Sequence, residues 1–279
     1  LIMESSATFG GTGNAASYVD GRLQAQVNYQ EMKRFPVGTF GEFLPLEITP
    51  EDDADVVVSA VSGDNTGMNL AQLDIDKSCN FNWEIQTASV LTGTTQIVAY
   101  FTPTSLDPGT DPLNLRGAMY TGNGEWTTLG ADNNSANSIS VSWNSNGNWQ
   151  QLNIAEPIDY STWAFYSVNT GAWEDQGNWE VENPGTGMFE PAPYVPDGTN
   201  SGPIWIRNGH TVIINNNIPA TADQVIVENG ANLFVGLGGL TILDGAGLDL
   251  SVEGTLELGA SNLINDGVIE VLGGGTFLW

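Results

Sequence analysis

The chain has 279 residues, enough for two domains with separate cores. It carries 33 acidic against 6 basic side chains, a formal net charge of -27. That balance argues against binding nucleic acid or inserting in an anionic bilayer through a basic patch, because neutralising phosphates takes cations this chain lacks. The same charge favours solubility and loose binding of divalent cations. One cysteine, Cys79, permits no intrachain disulfide. No apolar run approaches the roughly 20 residues of a membrane helix, and Leu1-Ile2-Met3-Glu4 lacks the basic region of a signal peptide. The chain reads as a segment or mature form. Its abundant Gly, Asn, Thr and Ser suit an all-β protein of the cell exterior.

In chain order, residues 1–14 come first. Leu1, Ile2 and Met3 are apolar, and Thr8-Phe9-Gly10 echoes Gly275-Thr276-Phe277. The expectation is a terminal rung of a preceding solenoid coil, or a rung that stacks on another copy, with a linker after it. Residues 15–156 alternate short apolar runs with turn residues. Strands are expected at 17–26, 40–48, 55–62, 81–88, 96–102, 118–121, 126–128, 138–143 and 149–154, with a helical turn near 69–75. Turns fall at Asp64-Asn65, Asp107-Pro108-Gly109 and Gly122-Asn123-Gly124. Such spacing without helical periodicity predicts a β-sandwich.

Residues 157–203 are aromatic and then proline-rich, from Tyr160 through Trp163, Trp173 and Trp179 to Pro196. They are expected to cap the open edge of the C-terminal segment, since an uncovered strand edge pairs with other chains. Residues 204–279 hold short β-branched or leucine runs at 211–214, 224–227, 232–235, 240–243, 248–252, 255–258, 268–271 and 276–279. A less regular piece falls at 262–265, and glycines mark most of the corners. Three runs make roughly 20–25 residues, the period of one coil of a parallel β-solenoid. In Thr255-Leu256-Glu257-Leu258, alternation puts both leucines inside and Glu257 outside. The predicted fold class is all-β: a β-sandwich followed by a capped, right-handed parallel β-helix, the hand obeying the general rule for parallel crossovers.

The residues Phe165-Tyr166-Ser167, Gly171-Ala172-Trp173, Asn178-Trp179, Pro196-Asp197 and Arg207-Asn208-Gly209-His210-Thr211-Val212 together resemble the opening of β-solenoid modules in large secreted surface proteins of Bacteroidota. Ser17-Tyr18-Val19-Asp20-Gly21, Arg34-Phe35-Pro36-Val37-Gly38 and Phe43-Leu44-Pro45-Leu46 look like the β-sandwich of the same proteins. The resemblance covers most of the chain. It implies export by the type IX route, an extracellular cell-surface location, and a role in adhesion, gliding or surface filaments. The sorting domain of that route is not seen in these residues.

No catalytic set stands out. His210 is the single histidine, no Gly-x-Ser-x-Gly elbow accompanies it, and its expected role is to fill or hydrogen-bond a corner. One His and one Cys do not supply a zinc site. The carboxylates Asp244, Asp249, Glu253, Glu257, Asp266 and Glu270 are scattered over the coils and read as a solvated face rather than a glycosidase pair. Calcium is the most credible ligand: Asp52, Asp53 and Asp55, and Asp74 with Asp76, gather oxygen donors, although a solvated acidic loop explains each cluster as well. Trp126 and Trp149 are candidate sugar-stacking rings, while Trp143 ends an alternating run and belongs to the core. The assembly residues are expected at the two ends: Leu1, Ile2 and Met3 against Phe277, Leu278 and Trp279.

The function expected is that of a non-enzymatic structural module in a surface adhesin or filament, joining copies of itself or adjacent modules of a long chain head to tail. A carbohydrate-binding module that takes surface glycans is the alternative. A polysaccharide-degrading β-helix enzyme is the less favoured one.

Overall fold

The computed structural model describes residues 2–3, 13–122, 124–215, 217–260 and 262–279. The chain divides into two compact units, Leu1–Ile158 and Asp159–Trp279. Both are built of strands, with short 3-10 turns between some of them.

The first unit has two main sheets. The larger runs Ile2–Met3, Leu23–Val27, Ala54–Ser62, Phe81–Thr87, Trp149–Pro157, Arg116–Tyr120, Trp126–Gly130, and Leu73–Ser78 also pairs with Trp149–Pro157. The smaller runs Asn133–Ser135, Ser138–Trp143, Thr95–Tyr100, Leu46–Thr49, Lys33–Phe35. Period-2 alternation buries one face of each. Leu23, Val56, Val58 and Ile85 from the larger sheet join Leu46, Ile48, Ile97 and Val141 from the smaller in one hydrophobic cluster. Two sheets sharing a core is the layering of a sandwich. Trp143 is buried in it, as its alternating run predicted, and Trp83 is anchored there by donating Nε1–H to the Leu44 carbonyl at 2.8 Å.

Some local expectations fail for identifiable reasons. The strand expected at 40–48 is broken, because Phe40 (φ 51°) and Gly41 (φ 86°) both turn left-handed and fold Val37–Thr39 against Glu42–Phe43. The helical turn is one short 3-10 piece, Met68–Ala71. Ile2–Met3 pairs in parallel with Gln24 and Ala25, on the free edge of the first unit's own larger sheet, and is not a rung of a solenoid coil. Leu1 and the rest of the expected rung, residues 4–9, lie outside the described residues.

The second unit is a β-solenoid. One sheet stacks Ile204–Ile206, Val225–Val227, Leu250–Val252 and Ile269–Val271 in parallel. A second stacks Thr211–Ile214, Asn232–Val235, Thr255–Leu258 and Thr276–Leu278. A third stacks Ala220–Ala222, Leu240–Ile242 and Leu263–Asn265. The registers place like residues above like. Ile206, Val227 and Val252 form one inward column, and Val212, Leu233 and Leu256 another; all six are fully buried. Leu256 is fully buried as the alternation requires, whereas Leu258 is only half-buried, like Glu257. The corner before Thr255 shows why glycine recurs: a Cβ on Gly254 would strike the backbone carbonyls of Glu228 and Ala231 in the coil below.

The capping expectation has a structural counterpart. Phe165–Ser167 continues the first solenoid sheet in parallel with Ile204–Ile206, but its other neighbour, Trp179–Glu182, is antiparallel, and Phe189–Pro191 comes next, antiparallel again. The coil geometry thus ends in a short edge strand whose proline lacks an N–H.

Asp249 departs from the expected solvated face. It is fully buried, accepting from the amides of Gly245 (3.1 Å) and Val268 (2.6 Å). It therefore stitches one coil to the next. Asp249→Ala strands two donors; it should lower the stability of the second unit by about 2–4 kcal/mol, measured by urea denaturation. It should also speed hydrogen exchange at the Val268 amide. An unchanged exchange rate there would show that the carboxylate carries no such stitch.

Candidate functional site

The five aspartates proposed for calcium are not brought together. Asp52 accepts the amide (2.7 Å) and hydroxyl of Thr92, which hold its carboxyl below the usual range, and Asp53 accepts the Tyr29 amide at 2.7 Å. Asp74 accepts the Asp76 amide at 3.0 Å on another strand, and Asp55 pairs across from Gln26. The Asp52, Asp53 and Asp74 carboxylates thus serve as acceptors for nearby amides. Among the described residues no group of three or more His, Cys, Asp or Glu side chains is placed to hold a metal ion.

The two tryptophans proposed for sugar stacking, like Trp205 on Tyr166 at 6.0 Å, each have a ring or guanidinium neighbour. Trp149 has the Arg22 guanidinium 4.3 Å from its ring centroid. Trp126 lies 5.3 Å from the Tyr120 ring and packs on the small cluster of Met68, Ala71 and Leu73. Cys79 is buried, which pushes its thiol up to about 12 and leaves it unreactive.

Of the assembly residues at the far end, Leu278 and Trp279 are exposed and Phe277 is half-buried. Inward columns that are fully buried through Val252 and Leu256 continue to Val271 and Phe277, where cover is lost: Val271 is 46% exposed and Trp279 89%. Phe277 and Trp279 pack on each other, ring centroids 4.5 Å apart. The last described rungs, Ile269–Val271 and Thr276–Leu278, have a paired strand on one side.

At the opposite end, the residues of the solenoid-opening motif converge. Ser167 is fully buried; its Oγ accepts the Arg207 amide (3.0 Å) and lies 2.8 Å from His210 Nδ1. This Ser–His contact is not a nucleophile–base pair, since the hydroxyl is sealed from solvent and already accepts an amide proton. It fixes the first corner, in keeping with the structural role expected of His210. Trp173 and Trp179 meet edge to face at 5.0 Å and are almost fully buried, donating Nε1–H to Pro196 and Trp173 carbonyls. Arg207 lies between the Tyr166 and Phe189 rings, 4.6 Å from each centroid, and is ion-paired to Glu180. Burial, then the hydrogen bond to Glu182, pushes the Tyr166 hydroxyl up to about 12, so it stays a donor at any physiological pH.

Beside this cluster lies a feature the sequence pattern did not single out. Tyr166, Trp205, Ile226 and Ser251 stand in register on the outward face of the first solenoid sheet. Trp205 and Ile226 form part of an open groove of about 560 Å³, with Leu248 also apolar and Asn208, Glu228 and Glu253 supplying polar groups. A half-buried indole beside amide and carboxylate groups is the chemistry that takes a sugar ring. The available signal is Trp205 itself, at an outward position of a rung that the solenoid period implies but whose boundaries the sequence leaves open.

No family model matches this chain, and no curated protein or solved structure matches it.

If Ser167 and His210 hold the corner and do no chemistry, Ser167→Ala should destabilise the second unit by about 1–3 kcal/mol. The wild-type protein should also stay unlabelled by a fluorophosphonate probe. Stoichiometric labelling at Ser167 would overturn the structural assignment.

Proposed function

We propose that this chain is a structural module of an extracellular surface adhesin or filament, and that its solenoid continues end-on into another solenoid rung. That rung comes from a second copy or from an adjacent module of the same long chain. The β-solenoid suits such work because each coil hands its backbone donors and acceptors to the next, a repeat that can extend without a new kind of contact. One observation carries the reading: the inward columns reach the last described rung still apolar, at Val271 and Phe277, so whatever rung follows meets an apolar lining. Covering each such side chain contributes about 1.5–3 kcal/mol, and the rung adds unpaired backbone groups that template a parallel strand. The resemblance to secreted surface modules of Bacteroidota, and with it the export route and the cell-surface address, belongs to this proposal.

The head-to-tail contact expected from the sequence has Leu1, Ile2 and Met3 supplying the incoming rung. Ile2–Met3 is paired at the edge of the first unit's sheet, so the proposed contact rests on the far end alone. A second reading, binding of surface glycans, draws support from the Trp205 groove rather than from Trp126 or Trp149.

Sedimentation velocity over a hundredfold concentration range checks the first reading. Self-association should rise with concentration and disappear in the Val271→Lys, Trp279→Glu double variant. A wild-type chain that stays monomeric throughout argues against contact between copies. For the second reading, a glycan array should give signal that Trp205→Ala removes and Trp126→Ala leaves in place.

A further inference from the structure

The groove at Trp205 offers more than an indole, because its lining sets the charge of what it can hold. Tyr166, Trp205, Ile226 and Ser251 follow one another along the outward face of the first solenoid sheet. The Tyr166 ring stacks on the indole, centroids 6.0 Å apart and planes 17° from parallel. The other side of the indole is turned to the rung of Ile226. Beyond it the column shrinks to Ser251, and a depression of about 560 Å³ opens, within the roughly 300–1,000 Å³ of small-molecule sites.

Two acids stand beside that column. Val227 and Val252 are in register, so Glu228 and Glu253, which follow them, leave neighbouring rungs about 4.8 Å apart at the same corner. Both line the groove. Glu228 accepts the Asn208 amide on Oε2 at 2.8 Å, and Glu253 is exposed. Among the described residues the lining holds no lysine, arginine or histidine. Arg207, the one basic side chain between residues 159 and 279, lies over Tyr166 and Phe189 and is paired with Glu180.

This lining selects by chemistry. An ionised carboxylate only accepts hydrogen bonds, so two of them call for donors. A uronic acid would set like charges together. A neutral sugar brings hydroxyls but no charge. A protonated amino sugar brings an ammonium for the carboxylates and a broad C–H face for the indole, whose ring also attracts the cation. A lysine side chain carries the ammonium but neither a ring to cover the indole nor hydroxyls for Asn208 and Asn229.

We propose that the Trp205 groove takes a basic glycan: an aminohexose unit with a free, protonated amine, its ring on Trp205 and Ile226 and its ammonium at Glu228 and Glu253. This rests on the glycan reading of the groove and adds the charge of the ligand to it. The net charge of -27 draws a polycation towards the chain from longer range.

Isothermal titration calorimetry on the full chain, at mildly acidic pH and moderate salt, tests the proposal. The probes are a glucosamine tetramer, its N-acetylated counterpart, a glucose tetramer, a galacturonate tetramer and tetralysine. The glucosamine tetramer should bind saturably and at least about tenfold tighter than its N-acetylated counterpart. Raising the pH until its amines are neutral should remove that preference. Trp205→Ala should weaken binding at least about tenfold, and Glu253→Gln about threefold. Glu253 is exposed, so its variant decides even if Trp205→Ala does not fold. Glu125→Gln, an equal loss of charge at an exposed position in the first unit, should change nothing. Equal, Trp205-dependent binding of the neutral tetramers overturns the charge selection and leaves the glycan reading standing. No saturable binding of any sugar overturns both. Glucosamine binding that Trp205→Ala and Glu253→Gln alter no more than Glu125→Gln is diffuse attraction to an acidic chain and overturns the proposal. So does tetralysine that matches the glucosamine tetramer with the same dependence on Trp205, which assigns the groove to basic peptides.

Discussion

The second unit depends on one constraint: a rung of a parallel solenoid cannot satisfy its own backbone. Each N–H and C=O of Val225–Val227 that points along the stack is met by Ile204–Ile206 on one side and Leu250–Val252 on the other. Every interior coil is therefore stabilised by its neighbours, and the cost gathers at the two ends. At the first end the chain changes its pairing sense. Phe165–Ser167 accepts an antiparallel partner, and two short strands later Pro191 closes the edge. The aromatic cluster around Trp173, Trp179 and Tyr194 then supplies the apolar cover that a further coil would give. Val271, Phe277 and Trp279 receive no such treatment in the described residues.

Scarcity of cations shapes the rest of the chemistry. With 33 acidic and 6 basic residues, ion pairing cannot be the general answer for the carboxylates. The described ion pairs involve Arg22, Arg34 and Arg207, each of which also lies over an aromatic ring. The other recurrent answer is the backbone. Asp249 takes one amide from its own corner and one from the next coil, Asp159 and Asp175 cap 3-10 turns, and Asp52 and Asp53 take amides from distant loops. Acidic clusters that look like metal loops are thus acceptors for loop N–H groups.

The legible part of the fold is the part that repeats. The alternation in 211–214, 232–235 and 255–258 and its recurrence every 20-odd residues specify strands, faces and stacking together, and those strands appear with the expected bounds. Ala220–Ala222 carries small side chains with no apolar amplitude, so only its pairing with Leu240–Ile242 makes it a rung. The first unit is harder to read because its turns are set by residues of ordinary propensity: nothing in Phe40 advertises a φ of 51°. Parallel pairing of Ile2–Met3 with Gln24 and Ala25 is a non-local choice that a local apolar run does not encode. Sequence spacing also cannot separate an acid whose neighbours are amides from one whose neighbours are apolar. Hence Asp249 looks solvated in the sequence and is not, and Asp52 and Asp53, which look like a metal loop, accept from Thr92 and the Tyr29 amide.

The motif that carries the resemblance has a physical reading of its own. Register in a solenoid propagates from the first coil, because each later strand copies the one beneath it. That coil has no predecessor to copy, so its corner must be fixed by side chains. Ser167 does this by holding the Arg207 amide and His210 at once, tying the strand that ends at Ser167 to the corner between Ile204–Ile206 and Thr211–Ile214. Thr170 adds a second tie by accepting the Thr211 amide at 2.9 Å, and Asn178 a third by donating to the Ala172 carbonyl at 2.8 Å. A serine, a histidine, two tryptophans and an asparagine, near in space though not in sequence, thus serve one purpose: they set the level from which the stack is counted. Recognition, where it occurs on this unit, is left to surfaces that register does not use, such as the outward groove at Trp205.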